Sequence, residues 1–424
     1  MNKQIEQMLR LAIVLILVSL MVGCAGTAKS ALLQSDKPRL TPDATDAETA
    51  ELVAGNSVFT FDLYQRLSEG EEGNLFYSPY SISLALAMTY AGARGETEQQ
   101  MAATMHYTLS QERLHPAFNA LDTMLASYGD DEDAFQLNVA NAIWGQEGYE
   151  FLPTFLDILA ENYEAGLHTV DFVNETEAAR QVINDWVSDR TEEKIQDLIP
   201  KGKLNSMARF VLTNAIYFNG KWVLPFEKSN THDEPFTLLD GSTVTVPMMS
   251  QVESFKYAEG NGYQAVELPY RGSNVSMLFI LPEAGRFEEM EGVFSAESVM
   301  AITESLTSQQ VHLFVPKFTF ESEFNLSEAL IQMGMPAAFG SADFSGMTGN
   351  RDLFISDVVH KAFVAVDEEG TEAAAATAVI MGETSAAVIE EPILMKLDRP
   401  FLFLIHDNDT GTILFIGRVL KPEA

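Results

Sequence analysis

The sequence predicts a mixed α+β domain folded as a single unit. Three observations carry that expectation. Helical signals dominate the first third of the domain, strand signals crowd the remainder, and no internal repeat or low-complexity segment divides the chain after residue 49. With 424 residues, 46% hydrophobic and 10% aromatic, the chain can bury a large core.

The elements follow in order. Ser78-Pro79 offers a cap with proline at the first helical position, then Ile82, Leu84, Ala85, Leu86, Met88 and Tyr90 before Gly92 and Gly95, the content of a buried helix. A second helix is predicted from Ala178 to Leu198, ended by Pro200. A third starts at Asn325, with Glu328 completing a capping-box pattern before Leu330 and Met333, and Gly334 closes it. Strands are predicted over 137–144, 210–218, 242–248, 275–281, 311–320, 353–366, 401–406 and 412–419. The last two flank Asp407-Asn408-Asp409-Thr410-Gly411, residues that tolerate the backbone angles of a tight turn.

The N-terminus reads as a targeting segment. Lys3 and Arg10 precede an apolar run from Leu11 to Gly23, which matches a secretory signal and is short for a membrane span. The sole cysteine, Cys24, closes Leu20-Met21-Val22-Gly23-Cys24-Ala25, which resembles the lipobox of prokaryotic lipoproteins, with Met21 in place of the usual leucine. That resemblance implies removal of residues 1–23, lipidation of Cys24 and a cell-surface protein without disulfides; a chance cysteine in an ordinary signal peptide, giving a secreted protein, or in a short membrane anchor is the other reading. Residues 24–48, rich in Ala, Thr, Ser, Asp and Pro, read as a flexible tether of mean reach roughly 27 Å, followed by the domain proper from residue 49 to 424.

Charge and motifs exclude several classes. The formal charge of −35, from 26 basic against 61 acidic side chains, repels nucleic acid and anionic headgroups, so no nucleic-acid partner is expected and any membrane contact runs through the N-terminal lipid. There is no Gly-x-Ser-x-Gly elbow, no His-Glu-x-x-His, no phosphate loop and no dinucleotide fingerprint. The seven histidines lack ligand spacing and the cysteine lies in the signal. The chain is therefore read as a non-enzyme without cofactor or metal.

The segment from Glu368 to Thr384 admits two readings. Propensity favours a short surface helix through Ala373, Ala374, Ala375 and Ala376. Alternation instead places Thr371, Ala373, Ala375 and Thr377 on one face of a strand, small enough to enter an existing sheet.

Several motifs, in order, tip the balance. Asn74-Leu75-Phe76-Tyr77-Ser78-Pro79-Tyr80-Ser81-Ile82, Thr213-Asn214-Ala215-Ile216-Tyr217-Phe218-Asn219-Gly220-Lys221-Trp222, Asp398-Arg399-Pro400-Phe401-Leu402-Phe403-Leu404-Ile405 and Gly411-Thr412-Ile413-Leu414-Phe415-Ile416-Gly417-Arg418-Val419 together resemble the serpins, inhibitors of serine proteases, from about residue 49 to 421. The resemblance implies one α+β domain with a large mixed central sheet, further smaller sheets, eight or nine helices and an exposed reactive loop over about 368–392. It implies a monomer whose partner is a serine protease, trapped as a covalent acyl complex when the cleaved loop inserts into the sheet.

By position, the resemblance makes Glu368, Glu369, Gly370, Thr371, Glu372, Ala373, Ala374, Ala375, Ala376 and Thr377 the hinge. It makes Ser78, Ser81, Asn214 and His360 a hydrogen-bonded cluster under the sheet, the shutter, and places Trp222 and Lys317 at the breach where the sheet opens, Lys317 pairing with Glu368. Counting from Gly370 puts the scissile bond between Thr384 and Ser385, which suits elastase-like or subtilisin-like proteases. The stretch from Ser385 to Arg399 is some five residues longer than in familiar inhibitors, so a cut after Met381, open to chymotrypsin-like pockets, remains the alternative. A non-inhibitory binding or chaperone-like lipoprotein is the rival function. A hydrolase with an unrecognised site is a third.

Overall fold

Two sheets and the helices packed on them hold a large core and a smaller second one around Trp144, Ile183 and Val211. The computed structural model describes residues 30–128, 136–272, 274–371 and 391–423. Among the described residues there are sixteen strands and eleven α-helices. The helices exceed the expected eight or nine because segments such as Pro336–Phe339 and Ser345–Thr348 are single turns.

The seven-stranded sheet runs β1 (Ala31–Leu33), β4 (Leu167–Val170), β3 (Gln136–Gln146), β5 (Phe210–Lys221), β13 (Gly370–Thr371), β12 (Asp357–Val366), β11 (Phe318–Asn325). It is mixed: β3 with β4 and β5 with β12 are parallel, the other neighbours antiparallel. The second sheet has nine strands: β14 (Ile393–Lys396), β10 (Thr307–Pro316), β7 (Thr243–Gly260), β8 (Tyr263–Pro269), β9 (Val275–Pro282), β15 (Phe401–Asp407), β16 (Ile413–Val419) and β2 (Leu75–Tyr77), with β6 (His232–Thr237) on β7. The expected smaller sheets are continuous here because β7, eighteen residues long, pairs with β6 and β10 as well as β8.

The helix Pro79–Tyr90 is buried along every face, as its unbroken apolar content predicts. The Ser81 N–H donates to the Ser78 hydroxyl at 3.2 Å, so Ser78 caps the helix that Pro79 opens. At the C-terminal hairpin, the Thr410 N–H donates to Asp407 Oδ2 at 2.8 Å and Gly411 takes φ +76°, the left-handed angle that glycine adopts without strain.

Three expectations are corrected. The run 311–320 is not one strand: β10 ends at Pro316, the Lys317 N–H makes one further bond to the Pro247 carbonyl at 2.9 Å, which Pro247 has no N–H to return, and β11 joins the other sheet. The helix through Ala178 spans Thr176–Arg190 and stops eight residues before Leu198; Glu192, Glu193 and Asp197 take positive φ, and Lys361 holds the following segment by donating to the Gln196 carbonyl at 3.3 Å. From Ser30 onward the predicted tether is docked. β1 pairs with β4, Lys37 bridges Asp157 at 3.1 Å and Glu161 at 2.9 Å, and Arg39 bridges Asp122 at 2.7 Å. Every one of these partners is distant in sequence, so composition alone gives no sign of them. The first long helix, Asp46–Ser68, begins at a Thr45 capping box, within the stretch read as the tether.

Candidate functional site

The seven-stranded sheet is closed along most of β5 and β12 and parted at one end. From Asp357↔Val211 to Phe363↔Tyr217 the two strands pair directly through seven registered residues. Beyond that point the two residues of β13 lie between them, Thr371 opposite Gly220 of β5 and Val366 of β12. Gly370 is demanded by this approach: a Cβ there would overlap the Gly220 carbonyl oxygen and stand 2.8 Å from Lys221 Cα. Thr371 is fully buried, and its hydroxyl hydrogen-bonds Tyr270 at 2.7 Å.

The chain entering this gap is tied residue by residue. Trp222, buried and stacked on Tyr270 at 4.6 Å, donates its indole N–H to the Asp367 carbonyl at 3.1 Å and its backbone N–H to the Glu369 carbonyl at 2.9 Å. The Phe226 N–H donates to the Glu368 carbonyl at 2.8 Å. Asp367 accepts from the backbone N–H groups of Glu369, at 2.8 Å, and Gly370, at 3.2 Å, and burial pushes its carboxyl up against these bonds. Lys317 meets Glu368 at 2.8 Å with the glutamate almost wholly buried, and Thr231 donates to the other Glu368 oxygen at 2.8 Å. Burial by itself would raise the Glu368 carboxyl; the bonds from Lys317 and Thr231 outweigh it and hold the group below its ordinary value. Lys228 pairs with Glu369 at 2.7 Å.

A second cluster lies beneath the closed seam. His360 and Asn214 stand directly opposite in the β5–β12 register, and His360 Nδ1 bonds Asn214 Oδ1 across it. The Ser78 N–H donates to His360 Nε2 at 3.3 Å, so Nε2 is the acceptor and Nδ1 carries the proton. Asn214 Nδ2 donates to Ser81 Oγ at 2.6 Å and to Asn141 Oδ1, and Asn141 Nδ2 returns to the Ser81 carbonyl at 3.0 Å. Ser78 Oγ donates to the Leu414 carbonyl at 2.7 Å. Desolvation holds the His360 imidazole neutral, its pKa lowered to about 3. The network spans β3, β5, β12, β16 and the start of the buried helix, so parting the seam must break it.

The structure thus brings together Ser78, Ser81, Asn214 and His360 in one cluster, and Trp222, Lys317, Glu368, Glu369, Gly370 and Thr371 in the other. Glu372, Ala373, Ala374, Ala375, Ala376, Thr377, Thr384, Ser385 and Cys24 lie outside the described residues. Sequence reading missed Asn141, Tyr270, Thr231 and Lys228. Asn141 sits in a predicted strand and could have been sought as a polar residue facing a core; the others carry no local signal. Among the described residues no group of three or more His, Cys, Asp or Glu could hold a metal ion.

The Lys317–Glu368 pair supports a stability prediction. Lys317→Ala leaves a buried carboxylate with only Thr231, and is expected to lower unfolding free energy by about 1–3 kcal/mol in urea titration, while Lys317→Arg loses less than half of that. An unchanged midpoint would show the pair to be incidental.

The sheet is mixed, and at one end Gly370 and Thr371 part β5 from β12. The chain belongs to the serpin family: the family model for serpins, serine protease inhibitors, matches residues 54–422. An uncharacterised serpin-like protein of Thermococcus kodakarensis is 43% identical over 366 residues, 86% of this chain and 84% of the relative. The leukocyte elastase inhibitor of Xenopus laevis is 40% identical over 374 residues, 86% of this chain and 97% of that protein. Among solved structures, the thermophilic serpin tengpin in its native state superposes with a TM-score of 0.82 at 30% identity, covering 93% of this chain and all of that one.

Proposed function

We propose that the protein is a suicide-substrate inhibitor of serine proteases, acting by cleavage of the loop after Thr371 and its insertion between β5 and β12. The observation that carries this reading is the seating of Gly370 and Thr371 in the parted end of the sheet, with strand register to both neighbours already set. From Thr371 the next residues are Glu372 and four alanines, and alternation puts Ala373, Ala375 and Thr377 on the same side as Thr371, where no side chain is too large to follow. About ten new ladder hydrogen bonds at 0.5–1.5 kcal/mol net would supply on the order of 10 kcal/mol, enough to deform an attached protease. The protease serine, acylated by the loop, is stranded when its oxyanion hole is pulled out of place.

The bait bond assigned here is Thr384–Ser385, and the targets are elastase-like or subtilisin-like enzymes. The test is incubation with such proteases, a search for SDS-stable complexes, and sequencing of the released C-terminal fragment. We expect a fragment beginning at Ser385; one beginning at Gly382 would move the bait to Met381. No complex across a broad protease panel would favour the non-inhibitory binding role. The protein is further proposed to act at the outer face of the cell envelope through lipidated Cys24. Docking from Ser30 leaves five residues between anchor and body, a reach of at most about 20 Å, and mass spectrometry of the N-terminal peptide decides the modification.

A further inference from the structure

The N-terminal segment and the hinge belong to opposite ends of the seven-stranded sheet. Ala31, the first residue of β1, stands opposite Thr169 of β4, Thr169 opposite Gly145 of β3, and Gly145 opposite Phe210, the first residue of β5. β1 and β5 therefore start in one row, and with strands about 4.8 Å apart the chain before Ala31 and the chain before Phe210 leave the sheet roughly 15 Å from each other. The Gln146 N–H fastens the second of these to the row by donating to the Arg209 carbonyl at 2.9 Å. Gly370 and Thr371 pair with Lys221 and Gly220 at the other end of β5, roughly 35 Å away.

The segment entering β5, residues 198–209, departs from the rest of the surface. It carries Lys201, Lys203 and Arg209 and no acidic residue, in a chain with 61 acidic against 26 basic side chains. Lys201 and Lys203 are exposed, and Met207 is 72% exposed. Glu147, Glu150 and Asp352 line one hollow just past the end of β3, which leaves 198–209 as the cationic part of this end.

We propose that this end of the sheet rests on an anionic bilayer, with 198–209 as the element that meets the headgroups and the hinge held on the far side. The inference rests on the lipid-anchor reading of Cys24. Five residues between Cys24 and Ser30 span at most about 20 Å, so the surface around Ser30 is the one that faces the membrane. The acidic body as a whole is repelled by such a surface, but that repulsion is screened beyond about 8 Å at physiological ionic strength. Once the anchor sets the distance, the residues that face the headgroups decide the pose. Lys201, Lys203 and Arg209 attract anionic headgroups at that range, and Met207 offers an apolar side chain to the boundary between headgroups and acyl chains. The hinge then points to the medium, from which a protease arrives.

Hydrogen exchange on the lipidated protein tests the pose. With the modification of Cys24 verified by mass spectrometry, the protein is placed on vesicles of one part phosphatidylglycerol to two of phosphatidylcholine, and on phosphatidylcholine alone. Amides of 198–209 are expected to exchange at least about threefold more slowly on the anionic vesicles, and those of 222–231, at the breach, at equal rates on both. Lys201→Glu combined with Lys203→Glu is expected to remove the difference while the lipid keeps the protein bound, and about 1 M NaCl to remove it in the parent. Slower exchange at 222–231, no difference at 198–209, or a difference that survives charge reversal or salt overturns the proposal. An unmodified Cys24 peptide would refute the anchor itself, and the pose with it. Thermal unfolding confirms that the charge-reversed variant is folded, and if it is not, the salt dependence decides.

Discussion

Thr371→Arg is expected to turn the protein from an inhibitor into a substrate. Thr371 is the residue on which the open sheet closes, with no exposed surface and its hydroxyl held by Tyr270. An arginine cannot occupy that space without burying an unpaired charge beside Tyr270 and Phe218, so the hinge would stay outside the sheet and insertion would start from further back. Inhibition is a race between insertion and hydrolysis of the acyl bond, and about 1.4 kcal/mol added to the insertion barrier shifts the outcome about tenfold. The number of inhibitor molecules consumed per protease blocked should therefore rise by tenfold or more, while cleavage continues and the circular dichroism of the native fold is kept. Thr371→Ser, which retains the hydroxyl, should inhibit as the parent does. Undiminished inhibition by Thr371→Arg would contradict an insertion that starts at this residue.

Mild acid should destabilise the fold through His360. His360 is neutral when folded, with a pKa of about 3 against about 6.5 when unfolded, and protonation would place a proton on Nε2 facing the Ser78 N–H. The sign follows: the stability that depends on neutral His360 is fully present above pH 6.5, declines as pH falls below it because only the unfolded chain takes the proton, and is lost near pH 3. At pH 5 the loss from this residue alone is about 2 kcal/mol. His115, lowered by burial to about 4, adds to the same slope. Urea midpoints measured between pH 8 and pH 5 should fall in the parent, and His360→Phe, less stable at neutral pH, should show a markedly shallower decline. A slope that His360→Phe leaves unchanged would assign the acid sensitivity elsewhere.

What the sequence disclosed was local. Ser78-Pro79 marked a buried helix start and Asp407 to Gly411 marked a hairpin, because capping and turn geometry are written in neighbouring residues. What it concealed was set by distant contacts. Nothing next to Asn141 announces Asn214 and Ser81, nor does anything near Thr231 announce Glu368. The docking of residues 30–45 was hidden because its pairs, such as Arg39 with Asp122, are surface polar contacts between separate segments. At Lys317 the continuous apolar pattern from Val311 to Phe320 masked a change of sheet, since both strands have buried positions to fill. The ion pair of Lys317 with Glu368 came from family resemblance rather than from spacing, and its burial could be read only in three dimensions.

The central claim is that the segment beyond Thr371 is a strand held in reserve. Thermal unfolding before and after specific cleavage of the loop tests it most directly. Insertion adds a strand to the seven-stranded sheet, and a gain on the order of 10 kcal/mol predicts that the cleaved, still associated protein unfolds about 10 °C or more above the intact one. A cleaved protein that unfolds at the same temperature as the intact one, or below it, would show that the loop does not enter the sheet.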